Sequence, residues 1–181
     1  MDTTALSPQL EAIRQQLDEN SERAKQLCSG LSDAQLVQRP AAGGWSVAEC
    51  VAHLTLTTKE YLQLADAAFV NAPRGQGPFR QDSMGKVLAW TLEPPYKMKV
   101  TTLPAFVPVN LNGRSVLPSF LDSQQELQQK LCQSEGLALD KIKVQSSFNK
   151  KVRYNLLSFF VILATHQRRH LWQAEQVKKS F

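Results

Sequence analysis

The sequence contains few cysteines and few histidines, and both shortages restrict its chemistry. Its three cysteines, Cys28, Cys50 and Cys132, are widely separated and form no CxxC pair. An odd number at this spacing indicates neither a disulfide framework nor a thiolate zinc site. It favours a protein of a reducing compartment. Histidine also occurs only three times in 181 residues, so an imidazole site would have to use most of the histidines that the chain has.

Long apolar runs are also lacking. No run of about 18 apolar residues occurs, which argues against a membrane-spanning helix. The first 20 residues are acidic and polar, whereas a signal peptide would be basic and then apolar. We therefore expect a soluble cytoplasmic protein with no membrane partner. A content of 43% hydrophobic and 20% charged residues predicts one domain, 1–181, with its own core.

The basic residues do not indicate a nucleic-acid partner. The net charge is +5, but the lysines and arginines are scattered among 16 acidic residues. The densest basic cluster, within residues 141–153, contains a single aromatic residue, Phe148, and not the several interleaved aromatic residues of a base-stacking platform. We interpret this cluster as a solvated loop.

Four long segments show apolar residues at helical spacing, with capping residues at their ends. They predict helices from Pro8 to about Gly30, from about Ser46 to Val70, from Ser119 or Asp122 to about Gly136, and from Asn155 to Val177. Shorter helices are predicted near residues 32–37 and 84–93. Four main helices predict an all-α fold, a helical bundle in which inward-facing side chains can form a ligand site.

The connection between helices two and three, residues 71–118, has a different composition. It holds seven of the nine prolines and four of the eight glycines, which excludes helix over most of its length. Residues 100–111 could be extended. Its aromatic residues Phe79, Trp90, Tyr96 and Phe106 predict an ordered excursion. This excursion is either a lid or pocket wall, or a surface loop folded on its own aromatic side chains.

The three histidines lie on predicted inward faces of two helices. His166 and His170 form an HxxxH pair, whose rings share one face, and His53 lies in helix two. Three imidazoles can bind a divalent metal and leave coordination positions open for water, whose pKa then falls towards ~7, or for a substrate such as a thiolate. Gln167 stands where a zinc peptidase has its glutamate, which disfavours that class. Three ordinary hydrogen-bonded histidines remain the alternative.

Other residues near the histidines have two interpretations each. Gln173 is either a group that orients a bound water or a metal-ligating ring, or an amide bonded within the bundle. Tyr61 either offers its hydroxyl to the pocket or fills the core. We assign Trp45 to packing at the start of helix two. Helical geometry predicts that Arg168 and Arg169 point away from the metal face, into solvent or towards a partner subunit.

Two segments carry a resemblance to a known family. Residues 39–54, RPAAGGWSVAECVAHL, and residues 165–177, THQRRHLWQAEQV, resemble the DinB-like superfamily, which includes metal-dependent hydrolases and bacterial low-molecular-weight thiol transferases. The positions that match are Pro40, Trp45, Ser46, His53, Leu54, His166, His170 and Gln173. The resemblance implies an up-down-down-up four-helix bundle, often a homodimer, with nickel or zinc bound by the three histidines. Residues 71–118 are longer than the family's usual connection, and we expect specificity to be set there.

Two functions remain open on this basis. One is a metal-dependent enzyme that either transfers a small thiol to an electrophilic small-molecule substrate or hydrolyses a small molecule. The sequence shows no general base, which slightly favours transfer. The other is a non-catalytic metal-binding or stress-associated bundle, which we would expect to have a closed coordination shell. Cys50, one turn before His53, is the residue to examine as a fourth ligand.

Overall fold

The computed structural model describes residues 5–95 and 101–181, and these are mostly helical, as predicted. The elements in chain order are α1 (Pro8–Ser29), α2 (Asp33–Val37), α3 (Val47–Phe69), α4 (Ser83–Leu92), a 3-10 turn (Pro104–Phe106), α5 (Gly113–Gln133), β1 (Lys143–Gln145), β2 (Arg153–Asn155) and α6 (Leu156–Lys178). The ends of α1, α3 and α6 lie within about one residue of the predicted ends.

The helices that carry the histidines begin at side-chain caps. The Ser46 hydroxyl accepts from the Glu49 N–H at 3.1 Å, and the Glu49 carboxylate accepts from the Ser46 N–H at 2.7 Å. Arg39 pairs with the same carboxylate. At the start of α6, Asn155 accepts from the Ser158 N–H at 2.9 Å. These bonds satisfy amide groups that a helix leaves unpaired at its first turn, and so fix where each helix starts.

Apolar packing holds the long helices against one another. Both α1 and α3 pack against α5 and α6. Phe120 of α5 and Phe159 and Phe160 of α6 are almost completely buried, and a side chain of this size stabilises a fold by roughly 1.5–3 kcal/mol when buried. The histidines of α3 and α6 therefore project from helices that the core holds in place.

The start of the third long helix differs from the prediction. It begins at Gly113 rather than at Ser119 or Asp122, because the Asn112 side chain accepts from the Arg114 N–H at 3.1 Å and caps the helix there. Pro118 lies inside the helix beyond its first turn, where a proline removes one backbone hydrogen bond and its ring crowds the carbonyl four residues earlier, at a cost of about 3 kcal/mol.

The connection before α6 contains a small hairpin that the sequence analysis missed. Strands β1 and β2 pair antiparallel, with Val144 opposite Tyr154. Both of these side chains are buried, so the hairpin covers part of the core, while the lysines and the arginine of residues 141–153 are exposed to solvent as predicted.

The excursion after α3 packs onto the helices. Its helix α4 lies against α6, one residue off the predicted position. Residues 104–106 form a 3-10 turn where an extended segment seemed possible. Tyr96 and Val100 lie outside the described residues. Among the helices that the structure describes, none combines the length and apolarity needed to cross a bilayer.

Candidate metal centre

The structure brings the three histidines together. His53 lies on the second turn of α3, and His166 and His170 lie one turn apart on α6. One ligand atom from each ring lies within 4.8 Å of the others. The ring centroids are 4.4 Å apart for His53 and His170, 4.6 Å for His166 and His170, and 5.2 Å for His53 and His166. Residues 113 positions apart in the chain thus form one cluster.

Hydrogen bonds orient two of the rings. Nδ1 of His53 lies 2.8 Å from the carbonyl oxygen of Phe106, and Nδ1 of His170 lies 3.0 Å from Oε1 of Gln173. An oxygen of either kind can only accept, so each Nδ1 carries the proton and donates it. The Nε2 atoms of both rings keep their lone pairs, which is the arrangement that a metal-ligating histidine requires.

The spacing of the nitrogens fits a divalent metal. Nε2 of His53 lies 3.3 Å from Nε2 of His166. Two nitrogens that ligate one tetrahedral zinc at its usual bond length would lie about 3.3–3.4 Å apart. Both rings are buried, with 1% and 8% of their surfaces exposed. The cluster is therefore compatible with a bound divalent metal, while the role of each histidine as a ligand stays a prediction.

Burial also favours the protonation state that binds metal. It lowers the pKa of all three histidines, only partly offset in His53 by the bond to Phe106. The pKa of His170 falls to about 3, with a further lowering contribution from the charge of Arg169. Neutral imidazoles at pH 7 have a lone pair available for a metal.

Within the described part of the chain, no cysteine or carboxylate joins the three histidines. Cys50 is completely buried among apolar side chains that include Ala24 and Phe120, and burial raises the pKa of its thiol. A protonated thiol is a poor metal ligand. The described residues thus offer three candidate ligands, and a metal held by these alone would have further coordination positions open to a substrate.

The histidines lie in the wall of a cavity of about 760 Å³. Trp45 lies beside them: its ring centroid is 4.9 Å from that of His53 and 5.8 Å from that of His170, where the rings stack. Trp45 therefore packs at the site itself, and not only at the start of α3 as predicted. On the other side, α4 and residues 101–103 contribute to the lining, so part of the 71–118 excursion forms a cavity wall.

The two accessory residues proposed from the sequence also line this cavity. Gln173 binds the ring of His170, as described above. Tyr61 is 4% exposed and lies against Phe159, with ring centroids 5.2 Å apart. Burial raises the pKa of Tyr61 well above its usual value, so its phenol stays protonated and can donate but cannot serve as a base.

The two arginines between the histidines do not both face solvent. Arg168 pairs with Glu93 after α4 and is partly exposed, but Arg169 is 5% exposed and lines the cavity. Nη1 of Arg169 donates to the carbonyl oxygen of Thr91 at 3.3 Å. The prediction that Arg169 points away from the metal face, into solvent or towards a partner subunit, was wrong because the excursion covers that side of α6, which helical periodicity alone cannot show.

The role of the Phe106 carbonyl oxygen in orienting His53 could not be predicted from the sequence. Every residue has a carbonyl group, so no residue type marks the one that binds His53 from 53 positions away. Trp45 could have been found, since it lies directly before the Ser46 cap of the helix that carries His53.

Comparison with known proteins agrees with the motifs. A model of the DinB superfamily matches residues 16–174, which include all three histidines and most of the chain. No curated protein and no solved structure gives a match.

Proposed function

We propose a metal-dependent enzymatic function for this chain, which belongs to the DinB superfamily. The observation that carries the proposal is the convergence of His53, His166 and His170 in the wall of a cavity large enough for a small molecule. A divalent ion bound there would act as a Lewis acid and lower the pKa of a coordinated thiol or water. We propose that this ion is nickel or zinc.

Transfer of a small thiol to an electrophile is the reaction that the lining favours. Hydrolysis would gain from a carboxylate or free imidazole as general base. The described lining contains no carboxylate, and its imidazoles are the three proposed ligands. In the transfer reaction, the sulfur forms a bond to the electrophilic carbon, the leaving group departs with its electron pair, and the thiol proton passes to solvent. The apolar side chains of the cavity would keep competing water away.

The finer features of the fold and assembly belong to the same proposal. The packing of α1 and α3 against α5 and α6 supports the up-down-down-up bundle of the family. A low-molecular-weight thiol as one substrate and a homodimeric assembly are expectations from the family. The alternative is a metal-binding bundle without catalysis.

Thiol binding to the cobalt-substituted protein tests this function. Titration with cysteine should produce a sulfur-to-cobalt charge-transfer band in the near ultraviolet, and serine, which lacks the sulfur, should not. His166→Ala should abolish the band. Phe148→Ala is the matched control, because Phe148 lies against the His166 ring but offers no ligand atom. Cobalt that binds without responding to any small thiol would refute the transfer reaction.

A further inference from the structure

The only side chain with a permanent charge among the described residues that line the cavity is positive. The described lining contains no Asp, Glu or Lys, while Arg169 contributes a permanent positive charge. This side chain is 95% buried, since only 5% of its surface is exposed. A divalent ion held by the three imidazoles, which line the same cavity, would add positive charge to that of Arg169.

The rest of the lining is largely apolar. Leu88 and Leu92 of α4 and Ile162 of α6 form part of it. The Thr102 hydroxyl also borders the cavity, and it is buried with no hydrogen-bond partner in residues 5–95 and 101–181. A buried hydroxyl without a partner is costly, so it indicates a place for a polar group of a ligand.

We propose that the cavity binds a small organic carboxylate, with its apolar body against α4 and its carboxylate on the Arg169 guanidinium. This proposal rests on the function above and names its substrate class. A planar guanidinium matches a carboxylate in charge and in geometry, and the pair gains strength in a site that excludes water. In the metal-free protein, the described lining offers one arginine and no lysine, which balances a single negative charge and favours a carboxylate over a doubly charged phosphate.

Calorimetric titration with 3-phenylpropanoate and its uncharged amide tests the proposal. Both ligands are added to metal-free and to zinc-loaded protein, because the metal-free form separates Arg169 from any metal-bound carboxylate. Charged hydrogen bonds of this kind correspond to about a 10- to 100-fold difference in affinity. We expect metal-free wild type to prefer the carboxylate by that factor and to bind phenyl phosphate no more tightly.

Variants assign the preference to one side chain. Arg169→Gln should remove the preference for the carboxylate, Arg169→Lys should keep part of it, and Arg168→Gln should retain it in full. Arg168 is the matched control because it is the neighbouring arginine and pairs with Glu93 instead. If Arg169→Gln fails to fold, the wild-type comparison of carboxylate with amide decides the question together with Arg169→Lys, which keeps the charge and should retain only part of the preference.

Three results would overturn the proposal. These are equal binding of acid and amide, a preference that requires zinc and survives Arg169→Gln, and failure of the metal-free protein to bind the acid at millimolar concentration. An Arg169-dependent preference in a protein that binds no metal would keep this inference and remove the proposed catalytic function.

Discussion

Gln173 acts on the site through the ring of His170. Its amide oxygen accepts the Nδ1 proton of that ring and so directs Nε2 towards the other histidines. Gln173→Leu should therefore lower zinc affinity about 10- to 100-fold while leaving the fold intact. Competition with a chromogenic chelator measures the affinity. Gln176→Leu, one turn further on and half-buried like Gln173, is the control and should bind zinc as wild type does. Equal affinities in the two variants would contradict this role.

Acid should destabilise the metal-free protein through its histidines. Burial lowers the pKa of all three, that of His170 to about 3, while an unfolded histidine titrates near 6.5. Below about pH 6.5 the unfolded chain binds protons that the folded chain does not. Stability is therefore complete above that pH and falls as the pH drops towards 3. His170 alone should account for roughly 1–2 kcal/mol between pH 7 and pH 5.

Urea unfolding at pH 7, 6 and 5 measures this effect. The control is the variant with all three histidines changed to glutamine, which contains no histidine at all. It should be nearly insensitive to pH over this range. An equal loss of stability in both proteins would show that other groups cause it.

The direction of a side chain could be predicted from the sequence where helix geometry alone determines it. The spacing of His166 and His170 places both rings on one face, and the structure shows them there. The same geometry failed for Arg169, because the chain that covers it comes from α4, some 80 positions earlier.

At the scale of elements, α4 depends on a close approach to α6. Gly85 is buried, and a Cβ atom at this position would overlap the side chain of Ser158. Gly85→Ala should push α4 away from α6, lower stability by about 1–3 kcal/mol and weaken ligand binding in the cavity that α4 lines. Lys86→Ala, at an exposed position of the same helix, is the control for thermal unfolding. A melting temperature unchanged by Gly85→Ala would refute the close packing.

Elements with strong local signals were predictable, and those that depend on partners were not. The capping box at Ser46 and Glu49 fixed the start of α3 from the sequence. Strands β1 and β2 have three residues each, too few for a visible alternation, and their pairing depends on the core beneath Val144 and Tyr154. The start of α5 was also missed, because Asn112 caps the helix ahead of Pro118.

At the scale of the whole molecule, the candidate site joins distant parts of the chain. His53 comes from α3, the other two histidines from α6, and the carbonyl that orients His53 from the 3-10 turn of the excursion. The fold must therefore be complete before the three nitrogens meet. A metal that binds only the folded state would stabilise it, by about 2.7 kcal/mol at a concentration 100 times its dissociation constant.

Metal content of protein purified without a histidine tag tests the three-histidine site most directly. Elemental analysis should find about one divalent ion per chain in the wild type and in Phe148→Ala, and almost none in His53→Ala or His166→Ala. The cobalt-substituted protein should have a coordination position at which added ligands replace bound water. Folded wild-type protein that binds neither nickel, zinc nor cobalt would contradict the account and leave three hydrogen-bonded histidines in a helical protein.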